Sequence, residues 1–433
     1  MRKLLLLFVA ALPLFPAEAQ TPWSLEQCVE YAVSHNLTVK ARELETESEQ
    51  LTLTEAKDRV LPTLEAGASQ TWNFGRGLTA ANTYADRNTS NFQWSAGLSL
   101  PLFQGLSTVR RIKASESSLA KTLTETAAAK DDITLNVVAQ YLQVLYSREV
   151  EQSAASQVEY TAYEVGRQQA LVEQGKVPEA DLYDAQAQHA QDKLQLVTAQ
   201  NDTRTALVQL ANLLQLPSAE GFDVLPHSDA EPLIPGPDQV YDDALGINNS
   251  VLAARQGITA ANDNISLAKT GYIPRIDFNA GIGSSYYKVS DFPNEGFGPQ
   301  MRHNYATYLG FRLTIPIFDG FSTRNQIRRA RLSKLQAELE LDRRQSELYK
   351  EIQLAYYQAK GARERYLASG ETLEKMRLSF EATREKYNLG RSTPAEFEQA
   401  KNNLFRTEVS SIQARYEYLL RCRILSFYRT NRL

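Results

Sequence analysis

Two pairs of segments alternate apolar and polar residues with the two-residue period of a β-strand. The first pair covers residues 62–74 and 91–103, and the second pair covers residues 274–287 and 304–318. In segment 91–103 one face collects the apolar residues Phe92, Trp94, Ala96, Leu98 and Leu100. A tilted strand crosses a membrane with about 9–11 residues, so each predicted strand is long enough to do so.

A soluble antiparallel sandwich also alternates in this way, so the pattern leaves that alternative open. Two features favour a membrane. The polar faces carry Glu65, Asp277 and Arg312, which suit a water-filled lumen. Aromatic residues gather toward the strand ends, as at membrane interfaces: Trp72, Phe92, Trp94, Tyr286 and Tyr305 at the loop ends, and Phe103 and Phe318 at the opposite ends. Because membrane barrels begin at about eight strands, four strands predict one barrel shared by several copies.

Two very long helices are predicted over residues 105–173 and 321–388, with Ser107 and Ser322 as N-caps. Their apolar positions recur at helical spacing, and about 65 residues would reach roughly 100 Å, which is typical of a coiled-coil wall. Return helices are expected over residues 178–214 and 394–428. Thr393, Pro394 and Glu396 have the spacing of a capping box with proline at the first helical position.

The chain contains an internal repeat of about 215 residues. LPLFQGLST, which starts at Leu100, is matched by IPIFDGFST, which starts at Ile315. The halves cover residues 20–215 and 239–433, and a proline-rich linker of residues 216–238 joins them. The predicted class is α+β: duplicated helix–hairpin–helix halves with long coiled-coil helices and four strands.

Residues 1–19 have the basic start, apolar run and A-x-A site of a signal peptide, which predicts export. The apolar run is too short for a retained anchor helix, the alternative interpretation. The net charge of −4 does not favour nucleic acid. The sequence leaves open whether the two cysteines, Cys28 and Cys422, form a disulfide or stay free.

No constellation of residues indicates catalysis. The four histidines are scattered, and neither a phosphate loop nor a nucleophile elbow is present. We therefore expect no enzyme activity, no cofactor and no metal site. The rival interpretation is a periplasmic adaptor or structural protein, which would need one coiled-coil hairpin rather than two.

The duplicated halves, the LPLFxG and IPIFxG signatures, and the tip sequences QGKVPEADLYDAQ from Gln174 and LGRSTPAEFEQA from Leu389 resemble the TolC family of outer-membrane efflux proteins. The resemblance implies a homotrimer in the outer membrane, with a twelve-stranded barrel in lipid and a helical tunnel across the periplasm. It also implies passive transport, with a periplasmic adaptor and an inner-membrane pump as partners. The cargo and the class of pump stay undetermined.

The same resemblance implies a gate at the periplasmic end, formed by Asp181, Tyr387 and Arg391. Arg391 lies one position earlier than the arginine of the family. By resemblance, Asp184 and Glu396 are candidates for a ring of acids around the aperture. The alternative for Asp181, Asp184 and Glu396 is that they are acids near the start of a helix that its dipole favours and have no other role. The tips for adaptor docking carry Gly175, Pro178, Gly390 and Pro394.

Overall fold

A computed structural model describes residues 22–79, 82–226, 234–290 and 293–432. The predicted signal peptide, residues 1–19, lies outside the described residues. The helices are α1 (Leu25–His35), α2 (Leu37–Asp58), α3 (Ser107–Glu173), α4 (Glu179–Leu213), α5 (Pro237–Ala244), α6 (Asn249–Lys269), α7 (Phe297–His303), α8 (Ser322–Asn388) and α9 (Pro394–Thr430). The strands are β1 (Thr63–Asn73), β2 (Arg76–Leu78), β3 (Tyr84–Asp86), β4 (Thr89–Phe103), β5 (Arg275–Val289) and β6 (Ala306–Thr314).

The chain divides into two compact units. One unit consists of Ala41–Ala128 and Asn248–Glu347, and it contains the strands. The other unit contains the remaining described residues, including the connections from α3 to α4 and from α8 to α9. Each half of the repeat therefore contributes to both units.

Four strands form an antiparallel sheet in the order β1-β4-β5-β6. The register places Phe92 opposite Tyr286, and Leu98 opposite Ala280, so the apolar residues of neighbouring strands share one face. Leu309 and Phe311 of β6 lie on that face and are 78% and 75% exposed. The apolar face is therefore uncovered over much of its area within a single chain.

Strand β6 is shorter than the predicted strand 304–318, and residues 315–318 lie outside the ladder. The last pair joins Thr314 to Arg275, because β5 begins at Arg275, directly after Pro274. Pro316 also lacks an amide hydrogen for the ladder. In the first half β4 continues past Pro101 to Phe103 with a register shift, because it still has β5 beside it.

Both predicted connecting loops contain short elements that the sequence pattern did not indicate. β2 and β3 form a two-stranded ribbon between β1 and β4. In the loop after β5, α7 starts after Gly296 and packs against β5. The side chain of Gln300 holds α7 against β5. It accepts a hydrogen bond from the amide of Tyr287 (2.9 Å) and donates one to the Tyr287 carbonyl (3.0 Å).

The strand-to-helix turns of the two halves share an unusual backbone. Gly105 and Leu106 have φ of +61° and +63°, and Gly320 and Phe321 have +64° for both residues. Two consecutive left-handed residues reverse the chain before each long helix, although only the first of each pair is glycine. The repeated motif therefore encodes a repeated turn.

The helices α3 and α8 contain 67 residues each, which corresponds to about 100 Å at 1.5 Å per residue. Ser107 and Ser322 are the first helical residues and not the predicted N-caps, and the residue before each serine has a left-handed backbone. In the second half Asp319 caps the helix, and its carboxylate accepts a hydrogen bond from the Thr323 amide at 2.7 Å. Among the described helices none is long and apolar enough to cross a bilayer.

The main core of the unit that contains the tips joins α1, the middle of α3 and the end of α4. Part of the predicted linker enters this core: Phe222 and Val224 are buried, and Val224 forms a parallel bridge with Trp23. Residues 222–225 therefore pack into the core and do not serve only as a linker, because the side chains of Phe222 and Val224 are both buried in it. The second half begins with α5 at Pro237, slightly inside the predicted linker.

Candidate gate at the helical tips

The two helical tips have the same backbone geometry. In the first tip the amide of Gly175 donates to the carbonyl of Val172 (2.8 Å), and the next amide donates to a carbonyl five residues earlier (2.9 Å). The same bonds recur at Gly390, at 3.0 and 2.8 Å. Both glycines have a left-handed φ, +68° and +69°, in open surroundings. The conformation, and not space, therefore requires glycine at these helix ends.

The start of α9 confirms the predicted capping box. The Thr393 hydroxyl accepts a hydrogen bond from the Glu396 amide (3.2 Å), and the Thr393 amide donates to the Glu396 carboxylate (2.9 Å). The Ser392 hydroxyl donates to the same carboxylate at 2.8 Å. These bonds, the Thr393 amide first, hold the pKa of Glu396 below its usual range. The Glu396 carboxylate is thus engaged in fixing the helix start, with Pro394 at its first position.

Tyr387, in the last turn of α8, is held from three sides. Its ring stacks on Phe397 of α9, with the ring centroids 4.5 Å apart and the planes at 12°. The Arg167 guanidinium of α3 lies 4.9 Å from the ring centroid, within cation–π range. The Gln168 side-chain amide donates a hydrogen bond to the Tyr387 hydroxyl at 2.5 Å. Three helices therefore meet at this tyrosine.

Asp181 lies in the first turn of α4 and is half-buried. Burial raises the pKa of Tyr387, the negative charge of Glu164 adds to this, and the charge of Asp181 acts in the same direction. Among the described residues, however, the hydroxyl of Tyr387 bonds with Gln168 and not with Asp181. Asp184 and Arg391 are exposed. Within one chain Asp181 is thus half-buried without a hydrogen bond to Tyr387, and the other two candidates lie at the surface.

Arg167, Gln168 and Phe397 are parts of this site that the sequence did not indicate. Phe397 is buried, and its ring also packs near those of Tyr160 (6.1 Å) and Phe380 (5.7 Å). A glutamine and an arginine in a polar helix are usually solvated, so no local signal separates these two from their neighbours. Only the packing of α8 and α9 against α3 selects them.

The predicted interface aromatics differ in how exposed they are within the sheet unit. Trp72 and Phe318 are exposed, as lipid-facing residues would be in a single chain. Phe92 and Tyr286 instead pack against Phe297 of α7, with ring centroids 5.6 and 5.2 Å away. The loop helix therefore covers part of the aromatic band at the loop end. In the described part of the chain, no group of three or more metal-ligating side chains is assembled.

A four-stranded sheet with one uncovered apolar face, joined to two helices of 67 residues, defines the class of outer-membrane channels built from strands and helices together. The family model described as "Outer membrane efflux protein" matches residues 29–215 and residues 240–426. The chain belongs to this family. Its two matches fall on the two halves of the internal repeat.

Known proteins similar to the chain agree with this assignment. Outer membrane efflux protein BepC of Brucella suis is 24% identical over 349 residues, covering 81% of this chain and 73% of BepC. Outer membrane protein TolC of Escherichia coli is 23% identical over 382 residues, covering 85% and 74%. The crystal structure of the Campylobacter jejuni CmeC outer membrane channel superposes with a TM-score of 0.76 at 17% identity, over 94% of this chain and 85% of CmeC.

Membership in the family settles the class of activity. The chain is an outer-membrane efflux channel, a passive conduit and not an enzyme. The periplasmic adaptor interpretation does not fit, because the family model covers both halves and both tips.

Proposed function

We propose that three copies of the chain form one conduit through which cargo leaves passively. Their sheets would combine into a twelve-stranded barrel, and their long helices would form a tunnel in the periplasm. The observation that carries this proposal is the sheet order, in which β1 and β6 each pair with a single strand within the described part of the chain. Because unpaired backbone groups are not tolerated in hydrocarbon, these two edges need partners from neighbouring copies.

The tips are the proposed docking site for a periplasmic adaptor, which connects the conduit to an inner-membrane pump. Both tips present the same left-handed glycine, and Gly175, Pro178, Gly390 and Pro394 are all exposed. Two equivalent tips on each chain give a trimer six similar sites. The pump supplies the energy, in keeping with the absence of a phosphate loop from the sequence.

We assign the resting gate to the surroundings of Tyr387. The stacking on Phe397, the contact with Arg167 and the hydrogen bond from Gln168 support a closed position of the end of α8. Asp181 and Arg391 are the residues through which neighbouring copies complete the gate. Asp184 and Glu396 contribute negative charge near the aperture, and Glu396 also caps α9.

Conductance of single channels in planar bilayers tests both the conduit and the gate. The double variant Asp181→Ala/Tyr387→Phe removes a carboxylate and the hydroxyl that accepts the Gln168 hydrogen bond, so we expect a several-fold higher conductance than for the unmodified protein. Asp202→Ala removes an exposed carboxylate from the same helix α4 and should leave the conductance unchanged.

The two possible failures differ. If the unmodified protein forms no ion-conducting pore, the proposed conduit is wrong. If pores form and the double variant conducts like the unmodified protein, the conduit stands and the assignment of Asp181 and Tyr387 to the gate is wrong.

A further inference from the structure

A lysine is buried inside the helical unit below the tips. Lys401 of α9 is 2% exposed, and its ammonium nitrogen lies 2.6 Å from a carboxylate oxygen of Glu398, one turn earlier. The same nitrogen lies 3.7 Å from a carboxylate oxygen of Asp192 on α4. A buried charge is tolerated when opposite charges surround it, and removal of one partner leaves the others uncompensated.

The partner on α4 is itself fixed. Asp192 is also 2% exposed, and its second carboxylate oxygen accepts a hydrogen bond from the Gln188 side-chain amide at 2.8 Å. One oxygen of Asp192 is thus held by Gln188, and the other faces Lys401 at ion-pair distance without a hydrogen bond. The ion pair therefore joins α4 to α9 at a defined position along both helices.

A third helix contributes another buried carboxylate. Glu164 of α3 is 7% exposed, and burial raises its pKa, while Arg167 acts in the opposite direction and Glu398 in the same direction. The positive charge of Lys401 also acts on Glu164. Two basic groups, Lys401 and Arg167, thus face three carboxylates, one each from α3, α4 and α9.

This region connects directly to the gate tyrosine. Glu164 holds Arg167 at 3.4 Å between a carboxylate oxygen and a guanidinium nitrogen. Arg167 in turn lies over the ring of Tyr387. The last turn of α8 is therefore approached from two sides. Glu164 reaches Tyr387 through Arg167, and Lys401 lies on α9 one turn after Phe397, whose ring stacks on Tyr387.

We infer that Lys401, with Asp192 and Glu398, forms an ionic tie that holds α4 and α9 in register and so positions Phe397, one turn earlier on α9, against Tyr387. Lys401 is a positioning residue: it acts on the gate through other residues and does not touch the aperture. The inference rests on the proposed gate at Tyr387. It adds a control point inside a single chain, with Lys401 about two helical turns from the start of α9.

The test compares Lys401→Met with Lys193→Met in full-length trimers. Methionine preserves the length and apolar stem of Lys401 but leaves the carboxylates of Asp192 and Glu398 without their lysine. Lys193, next to Asp192 in sequence, is exposed, so its replacement is the matched control. We expect Lys401→Met to raise single-channel conductance several-fold and Lys193→Met to leave it unchanged.

Hydrogen–deuterium exchange provides a second measurement, which separates a local effect at the tip from a general loss of stability. In Lys401→Met we expect faster exchange for amides of residues 385–397, whereas amides of the core segment 133–145 of α3 keep their protection. If Lys401→Met does not yield a folded trimer, the variant Asp192→Asn is measured in its place. It removes the α4 charge without changing shape and should give the same effects to a smaller degree.

Three results are informative. The ionic tie would be overturned if Lys401→Met showed the conductance and the exchange of the unmodified protein. Where Asp192→Asn is tested in its place, the same result for that variant would overturn the tie. Faster exchange at residues 133–145 and at the tip alike would also overturn it, because the lysine would then support the fold in general. If the unmodified protein forms no pore, the proposed conduit fails, and the exchange pattern still tests the tie.

Discussion

Cys28 and Cys422 are buried in two different hydrophobic clusters and form no disulfide with each other, which answers the pairing question that the sequence left open. Cys28 packs with residues of α1 and α3, whereas Cys422 packs between α8 and α9. Both behave as small apolar side chains within helix contacts. Their positions within the core, and not the redox state of the compartment, keep them apart.

The buried thiols predict a simple labelling result. Burial raises the pKa of the Cys28 thiol from 9.0 to about 12, so the reactive thiolate is absent at pH 8. A maleimide should label neither cysteine in the folded protein and both after unfolding without reductant, as measured by intact mass. The Cys28 thiol has a higher pKa in the folded protein than in the unfolded protein. Its burial as a neutral thiol therefore stabilises the fold fully below about pH 9, and this stabilisation is lost as the pH rises toward 12. Unfolded protein without labels would instead indicate a disulfide.

Glu396 illustrates how far a sequence can predict the function of one residue. The spacing of Thr393 and Glu396 predicted a capping box, and the hydrogen bonds confirm it. Lys401 could not be predicted in the same way. A lysine in a helix of mixed polarity usually belongs to the solvated face, and only α4, some 200 residues away in sequence, makes its position an interior one.

At the scale of elements, the long helices were predictable because their limits are local. Glycine and proline mark the tips, and the structure starts and ends α3 and α8 within two residues of the predicted ranges. The ribbon β2–β3 and helix α7 were not predictable, since elements of three and seven residues are too short to show a period. The end of β6 depended on a neighbouring strand, which no local pattern contains.

The paired turns before the long helices allow a matched substitution. Gly320→Ala places a side chain in a left-handed conformation with open space around it, which should cost about 1–2 kcal/mol. Gly105→Ala has the same backbone cost, and its new carbon would lie 2.9 Å from the Cβ of Ile273, which adds about 1–3 kcal/mol of overpacking.

Thermal unfolding of the detergent-solubilised protein measures this difference. The melting temperature should fall in the order unmodified protein, Gly320→Ala, Gly105→Ala. Equal losses for the two variants would mean that the contact with Ile273 relaxes and that the backbone conformation alone limits these positions.

At the scale of the whole molecule, the uncovered face of the sheet predicts where lipid lies. Leu309→Lys puts a charge on the apolar face, and a lysine facing lipid costs about 2–4 kcal/mol at the bilayer midplane and less near the interfaces. Gln93→Lys adds the same charge to the opposite face of β4, where a water-filled lumen accepts it. We expect Leu309→Lys to reduce the amount of trimer recovered from outer membranes and Gln93→Lys to leave it unchanged.

Quantification of trimer by native mass spectrometry after detergent extraction provides the measurement. The reverse outcome, with Gln93→Lys as the damaging variant, would mean that the apolar face points to the interior of the assembly. The proposed barrel would then have to be abandoned in favour of a packed sheet.

The ionic tie at Lys401 has a consequence for the history of this duplicated gene. Asp192 comes from the first half, whereas Glu398, Lys401 and Tyr387 come from the second half. A substitution that removes a charge from one half therefore leaves the opposite charge in the other half buried without its partner. The two halves must then change in compensating pairs. We expect relatives that lack the lysine to have lost the facing acid as well, and hybrid chains that mix halves from distant relatives to assemble poorly.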